Sequence, residues 1–134
     1  MFASARRAYE SGTKAAPSGR ELEAAALYKA ARQLEQCRQD WDTPDRDRRL
    51  DEALRYNQRL WTFFQGEWMA EDCHLPAALR SNLLRLSAFV DRRTFEVMSK
   101  PTSEGLRALI EINRQIAAGL STPVGLSETT ARAA

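Results

Sequence analysis

The spacing of apolar residues constrains the fold of this chain more than any other feature. Along residues 27–41 apolar side chains recur at intervals of three and four, beginning with Leu27, Ala30 and Leu34. That interval places them on one face of an α-helix, whereas a half-buried strand would alternate every second residue. The same helical interval continues through residues 50–68, and no strand-like alternation occurs. We therefore predict an all-α fold.

Proline, glycine and capping residues divide the chain into a leader, four main helices and a tail. The leader, residues 1–17, carries a short apolar pattern that predicts one short N-terminal helix. Four further helices are expected to form a small helical bundle domain over residues 18–120, and residues 121–134 lack a helical stripe and are expected to be a flexible tail. The predicted starts of the four main helices are Ser18, Thr43–Pro44, Leu75–Pro76 and Thr102 or Ser103.

Composition narrows the class of protein. The chain has 134 residues, and its 20 Lys and Arg against 18 Asp and Glu give a net charge of +2. So small a charge weighs against binding of a nucleic-acid backbone, which needs many neutralised phosphates. No apolar run approaches the roughly 20 residues that span a bilayer, and no secretory signal is recognisable. We expect a cytoplasmic protein in which Cys37 and Cys73 are free thiols.

Candidate catalytic and metal-binding residues are few. His74 is the only histidine, and it follows Cys73 directly, which is unfavourable spacing for ligands that must converge on one ion. A metal site at Asp72, Cys73 and His74 is therefore less favoured than a solvated loop. No phosphate-binding loop and no isolated acid–base pair occurs. We expect a protein that is not an enzyme and has no cofactor, no catalytic residue and no metal ligand.

Three asparagines occupy positions where an apolar residue is expected on a helix seam: Asn57, Asn82 and Asn113. A buried amide is costly unless it is hydrogen-bonded, so they indicate a mutual or backbone-directed network. One interpretation is that they set helix register, and the other is that they line a groove for a partner. Trp61, Phe64 and Trp68 are expected in the core, although one of them is also a candidate partner anchor.

A set of arginines at the start of the second main helix is the only candidate contact for RNA: Arg46, Arg48, Arg49, Arg55 and Arg59. Aspartate and glutamate residues alternate with these arginines along the same helix and reduce the positive electrostatic potential of the arginine set. A solvated, salt-bridged face is therefore the favoured interpretation of this segment.

Three segments carry a resemblance to a known family. They are residues 57–61 (NQRLW), 75–83 (LPAALRSNL) and 112–120 (INRQIAAGL). In this order they resemble the FlaF family of flagellar biosynthesis regulators of alphaproteobacteria, over about residues 5–120. Two positions depart from the family pattern, because Cys73 and Phe89 stand where asparagine and tryptophan are common.

The resemblance implies a role in flagellin supply and adds no catalytic residue. Members of the family are similar to secretion chaperones that bind flagellin, and they act opposite FlbT, which limits flagellin translation. We expect a groove between the helices of Trp61 and Leu83 to hold a terminal amphipathic helix of flagellin. The candidate contact residues are Asn57, Trp61, Phe64, Leu79, Asn82, Leu83 and Asn113. The alternatives are a regulator of flagellin mRNA that uses the arginine set, and an adaptor that binds only FlbT.

Overall fold

The computed structural model describes residues 19–121, and all regular structure in that part of the chain is α-helical. The prediction of an all-α bundle with four main helices is confirmed. The short N-terminal helix predicted within residues 1–17 lies outside the described residues, as does the tail predicted for residues 121–134 except for Ser121. The four helices are α1 (Gly19–Gln39), α2 (Arg46–Met69), α3 (Ala77–Ser99) and α4 (Leu106–Leu120).

Helices α1 and α4 form the most closely packed pair. Small buried side chains permit this approach, since α1 contributes Ala24, Ala30 and Ala31 and α4 contributes Ala117. Leucines of the same two helices are among the most deeply buried of the described residues: Leu27, Leu34, Leu106 and Leu109. The apolar interval that begins at Leu27 corresponds to a tightly packed core face as far as Cys37. Trp41, the last residue of that interval, is half-buried and lies beyond the end of α1 at Gln39.

Helix α2 packs against both α1 and α3, whereas α3 contacts α4 only sparsely. The neighbour order is thus α4, α1, α2, α3, and the pair α3 and α4 is the most open side of the bundle. The buried face of α3 includes Ser87 and Thr94, whose hydroxyls donate to the carbonyl oxygens of Leu84 and Val90 at 2.8 and 2.7 Å. Two of the five buried residues of α3 are therefore hydroxyl side chains, whereas all six buried residues of α1 are apolar.

The helix starts differ slightly from those expected. The Thr43 hydroxyl donates backward to the carbonyl oxygen of Asp40 at 2.9 Å, and α2 begins only at Arg46. Thr102 caps a turn that precedes α4, because its Oγ1 accepts the N–H of Gly105 at 3.1 Å. Within residues 19–121, none of the helices combines the length and apolar character that crossing a bilayer requires.

Candidate functional site

A hydrogen-bonded cluster of two asparagines and one tryptophan lies inside the bundle. The Trp61 indole N–H donates to Asn113 Oδ1 at 2.8 Å, and Asn113 Nδ2 donates to Asn57 Oδ1 at 2.7 Å. All three side chains are fully buried, so these bonds offset the cost of removing their polar atoms from water. The cluster connects α2 to α4 and fixes the register of one helix against the other.

The three seam asparagines do not all meet. Asn57 and Asn113 form the mutual network that their positions indicated, and Trp61 joins it as a donor that the sequence pattern did not reveal. Asn82 is half-buried on α3 and forms no hydrogen bond with this network in the described part of the chain. An apolar interval identifies seam positions on each helix, but it does not show which seams face each other.

Most of the residues expected to contact a partner lie in the interior. Asn82 and Leu83 are half-buried, and the other five candidates have no more than 3% of their surface exposed. A partner reaches the interior side chains only if the helices separate, so their role in binding stays a prediction. The five are Asn57, Trp61, Phe64, Leu79 and Asn113.

The aromatic residues of α2 pack on one another rather than forming a surface. Trp61 meets Phe64 and Trp68 edge-on, with ring centroids 6.1 and 5.9 Å apart. Phe64 stacks on Trp68 at 5.6 Å with 16° between the ring planes. Of these three rings expected in the core, only Trp68 is partly accessible, since it is half-buried. These three ring contacts add to the stabilisation that comes from burying the aromatic side chains of α2.

An apolar surface is exposed instead on α3. Phe95 is 72% exposed and Met98 is 37% exposed, although both are large apolar side chains. Phe95 and Ala88 line a shallow depression whose polar rim includes Arg92 and Lys100. We call Ala88, Phe95 and Met98 the α3 apolar face. An accessible aromatic residue beside small and charged ones is typical of protein-recognition surfaces.

The arginine set on α2 is largely neutralised by carboxylates. Arg48 contacts Asp45 at 2.9 Å and Glu52 at 2.8 Å, and Arg55 contacts Asp51 at 2.9 Å. Arg49 and Arg46 are likewise paired, with Asp40 at 3.2 Å and with Asp47 at 3.0 Å. Among residues 19–121, no carboxylate pairs with Arg59, the fifth member of the set. The predicted salt-bridged face is thus observed for four of the five arginines.

Arg59 lies instead in a second basic group that the sequence did not indicate. Lys29 Nζ is 5.2 Å from the centroid of the Tyr56 ring. Arg59 follows Tyr56 by three residues on α2 and lines the same depression as this tyrosine. Burial raises the pKa of the Tyr56 phenol, and the positive charges of Arg59 and Arg32 partly offset that effect. Lys29 and Arg32 share a face of α1 by their spacing of three, but only packing shows that α2 adds Arg59.

The residues with potential for metal or thiol chemistry do not form a site. Residues 19–121 contain no group of three His, Cys, Asp or Glu side chains that could hold a metal ion. Cys37 is buried and Cys73 half-buried, and both are free thiols. Burial raises the pKa of the Cys37 thiol above its ordinary value, so this group stays protonated near neutral pH. His74 is exposed in the connection between α2 and α3.

Comparison with known proteins assigns the chain to a family. No curated protein and no solved structure matches the chain. The sequence model of a family described as flagellar protein FlaF matches residues 5–120, which include all four helices described above. This match covers most of the 134 residues and contains the three segments that resembled the family. The chain therefore belongs to the FlaF family of flagellar proteins.

Proposed function

We propose that this flagellar protein is a cytoplasmic secretion chaperone that binds flagellin, rather than an enzyme. In this role it promotes flagellin synthesis and export for filament assembly, and it acts with FlbT. Membership of the FlaF family is the observation that carries the proposal. The exposed α3 apolar face supports it, because a chaperone needs accessible apolar surface with which to contact its client.

The chemistry of the client explains why such a surface is needed. Flagellin has terminal amphipathic helices that pack only within the filament, and before assembly their apolar stripes are exposed to water. An exposed stripe of this kind favours aggregation or premature polymerisation. A helix face that presents Phe95 can cover part of such a stripe and bury it reversibly.

We place the first contact with flagellin on the α3 apolar face rather than on the interior residues expected from the sequence. Phe95 is accessible without any change in the bundle, whereas Trp61 and Phe64 are covered by neighbouring helices. Leu83 and Asn82 lie on the same helix, but they are about 120° and 140° around its axis from Phe95. A client helix on the α3 apolar face would therefore meet Ala88, Phe95 and Met98 and would not reach Leu83 or Asn82.

Calorimetry with purified flagellin and with truncations that lack either terminal helix tests the proposal. We expect binding at tens of micromolar or tighter, and loss of binding when one terminal helix is deleted. Phe95→Ser should weaken binding about tenfold, as for an interface anchor. Met69→Ser is the matched control, because Met69 is 69% exposed but lies at the end of α2. Absence of binding, or equal losses in both variants, would contradict the proposal.

The two alternatives give different results in separate assays. An RNA regulator should retard the flagellin leader RNA at low salt, and its affinity should fall steeply as salt increases. The ion pairs of Arg48, Arg49 and Arg55 reduce the charge that can contact phosphates. An adaptor that binds only FlbT should bind FlbT and show no competition from flagellin. Competition between FlbT and flagellin would support the chaperone.

A further inference from the structure

Three cations of the α1 and α2 surface have no carboxylate partner among residues 19–121. Lys29 and Arg32 come from α1 and Arg59 from α2, and all three side chains are exposed. Lys29 Nζ lies over the Tyr56 ring, 5.2 Å from its centroid. Arg32 follows Lys29 by three residues on α1, and Arg59 follows Tyr56 by three residues on α2, so each lies one turn along the same helix face. We call Lys29, Arg32, Tyr56 and Arg59 the Tyr56 basic face.

A cavity of about 340 Å³ opens beside this face, between α1 and α2. Tyr56 and Arg59 line it together with Arg49 and Glu52, whose charges are already balanced. Arg49 contacts Asp40 at 3.2 Å, and Glu52 accepts a hydrogen bond from Arg48 at 2.8 Å. The charge that remains at the edge of the cavity is therefore positive, and it comes from the Tyr56 basic face.

One wall of the same cavity carries an unused hydrogen-bond acceptor. The side chain of Gln33 lines the cavity, and its Oε1 is buried without a donor in the described structure. A buried carbonyl oxygen without a partner is unfavourable. A ligand that supplies an N–H group relieves that cost once a rotation of the Gln33 side chain brings its oxygen to the cavity surface. A ligand that complements this site therefore has a negative charge for the three cations and a hydrogen-bond donor for Gln33.

We propose that the Tyr56 basic face and its cavity bind an acidic peptide segment of a protein partner. Carboxylates of the segment contact Lys29, Arg32 and Arg59, and a backbone N–H of the segment donates to Gln33 Oε1. This site goes beyond the proposed function, because it lies on α1 and α2 and does not include the α3 apolar face. Binding there allows the protein to hold a partner while α3 contacts flagellin.

A peptide fits this site better than a phosphate backbone does. A phosphodiester chain has acceptor oxygens but no N–H donor of its own, so it satisfies the cations and leaves Gln33 unpaired. Three cations also neutralise too few phosphates for tight binding at physiological salt. A peptide backbone supplies the donor and its glutamate or aspartate side chains supply the charge.

Fluorescence anisotropy with the full chain tests the site. The probe is a short fluorescein-labelled peptide of alternating glutamate and alanine, and the control peptide has glutamine in place of each glutamate. We expect saturable binding of the acidic peptide only, with an affinity that falls as salt increases. Failure of the acidic peptide to bind at low salt, or equal binding of both peptides, would overturn the proposal.

Charge-removal variants locate the site on the protein. Replacing Lys29, Arg32 and Arg59 with glutamine in one triple variant should weaken peptide binding about tenfold, since each exposed contact adds a small increment. The matched control replaces three exposed arginines away from the site with glutamine, Arg85 and Arg92 on α3 and Arg107 on α4, so that it removes the same charge. Its affinity should stay within about twofold of the wild type. Equal losses in the two variants would contradict the assignment.

Two further measurements test the choice of a peptide as the ligand. Gln33→Met removes the acceptor at similar volume and should weaken peptide binding about threefold. A single-stranded RNA oligonucleotide that binds more tightly than the acidic peptide would overturn this choice. Thermal unfolding followed by circular dichroism shows whether each variant keeps its fold. None of these assays contains flagellin, so their outcome is independent of the chaperone test.

Discussion

At the scale of single residues, the buried polar cluster is the most sensitive point of the core. Asn113 is its central member, because it accepts from the Trp61 indole and donates to Asn57. A net hydrogen bond contributes only about 1 kcal/mol, but a buried group that loses its partner costs about 1–3 kcal/mol. Asn57 Nδ2 is already buried without an acceptor in the described residues. The cluster therefore has no spare partner that could replace a lost one.

Asn113→Ala should lower the free energy of unfolding by about 3 kcal/mol. The substitution leaves a cavity and removes the partners of both Trp61 and Asn57. Urea denaturation followed by circular dichroism measures this change. Asn82→Ala is the control, because Asn82 is half-buried and outside the cluster, and it should cost less than about 1 kcal/mol. Equal costs for the two variants would show that the cluster contributes nothing specific.

Two glycines should respond to alanine with opposite signs. A Cβ at Gly105 would lie 2.8 Å from Val97 Cγ2, so Gly105→Ala forces apart α3 and the start of α4 and should cost about 1–3 kcal/mol. A Cβ at Gly66 meets nothing within 4 Å, and Gly66→Ala should stabilise α2 by up to about 1 kcal/mol. Thermal melting of the two variants compares them directly. If Gly105→Ala were instead stabilising, α3 and the start of α4 would have to move apart around the added methyl group at little cost in free energy, which would contradict this prediction.

At the scale of helices, the junction of α1 and α2 is held by an exposed polar network. Gln36 Nε2 donates to Asp40 at 2.6 Å, and Arg49 donates to the same carboxylate at 3.2 Å. These two hydrogen bonds hold the pKa of Asp40 below its ordinary value. Arg46 adds a contact over the Trp41 ring, 4.6 Å from its centroid. These contacts connect the end of α1 to the start of α2 at the surface of the bundle.

The stability contributed by Asp40 should depend on pH. A carboxyl whose pKa is lower in the folded protein stabilises the fold above its unfolded pKa of about 4, and that contribution disappears as the pH falls through the folded value. Asp40→Asn should thus be less stable than the wild type at pH 7, and the difference should vanish in acid. Urea denaturation of both proteins at neutral pH and below about pH 3 measures it. A difference that is the same at both pH values would contradict this origin.

At the scale of the whole molecule, the four helices differ in how extensively each packs on its neighbours. Helices α1 and α4 share the closest packing, and α3 contacts α2 but meets α4 only sparsely. The half-buried residues Leu83 and Phe89 on α3 show the same imbalance. Local opening follows the least packed elements, because fewer contacts must be broken there. Movement of α3 is therefore the easiest route by which the interior residues of α2 become accessible to a partner.

Native-state hydrogen exchange should reveal this order. Amide protons in the middle of α3 should exchange faster than those in the middle of α1 and α4, because α3 can detach without global unfolding. Measurement by mass spectrometry on the full chain is sufficient to compare the helices. If bound flagellin covers the α3 apolar face, it should slow exchange in α3 selectively. Equal protection of all four helices in the free protein would contradict the unequal packing.

The sequence by itself determined the all-α class and the approximate extent of each helix, because the interval of apolar residues is a local property of one helix. It also indicated that Asn57 and Asn113 take part in a buried network, because amides on apolar seams need partners. The pairing of the arginines on α2 with nearby carboxylates was equally local, since those partners lie mostly within four residues.

Only the tertiary structure decided which seams meet and which surfaces remain open. Trp61 was a candidate anchor in the sequence, but it is completely buried in the bundle, where its indole N–H donates to Asn113 of α4. The sequence pattern did not single out Phe95, which is exposed because α3 turns that face away from its neighbours. Lys29 and Arg59 lie on different helices, so their proximity follows from helix packing. The local sequence around an apolar or charged residue can be the same whether that residue lies in the core or on the surface. Contacts between segments that are distant in sequence decide which of the two positions it occupies.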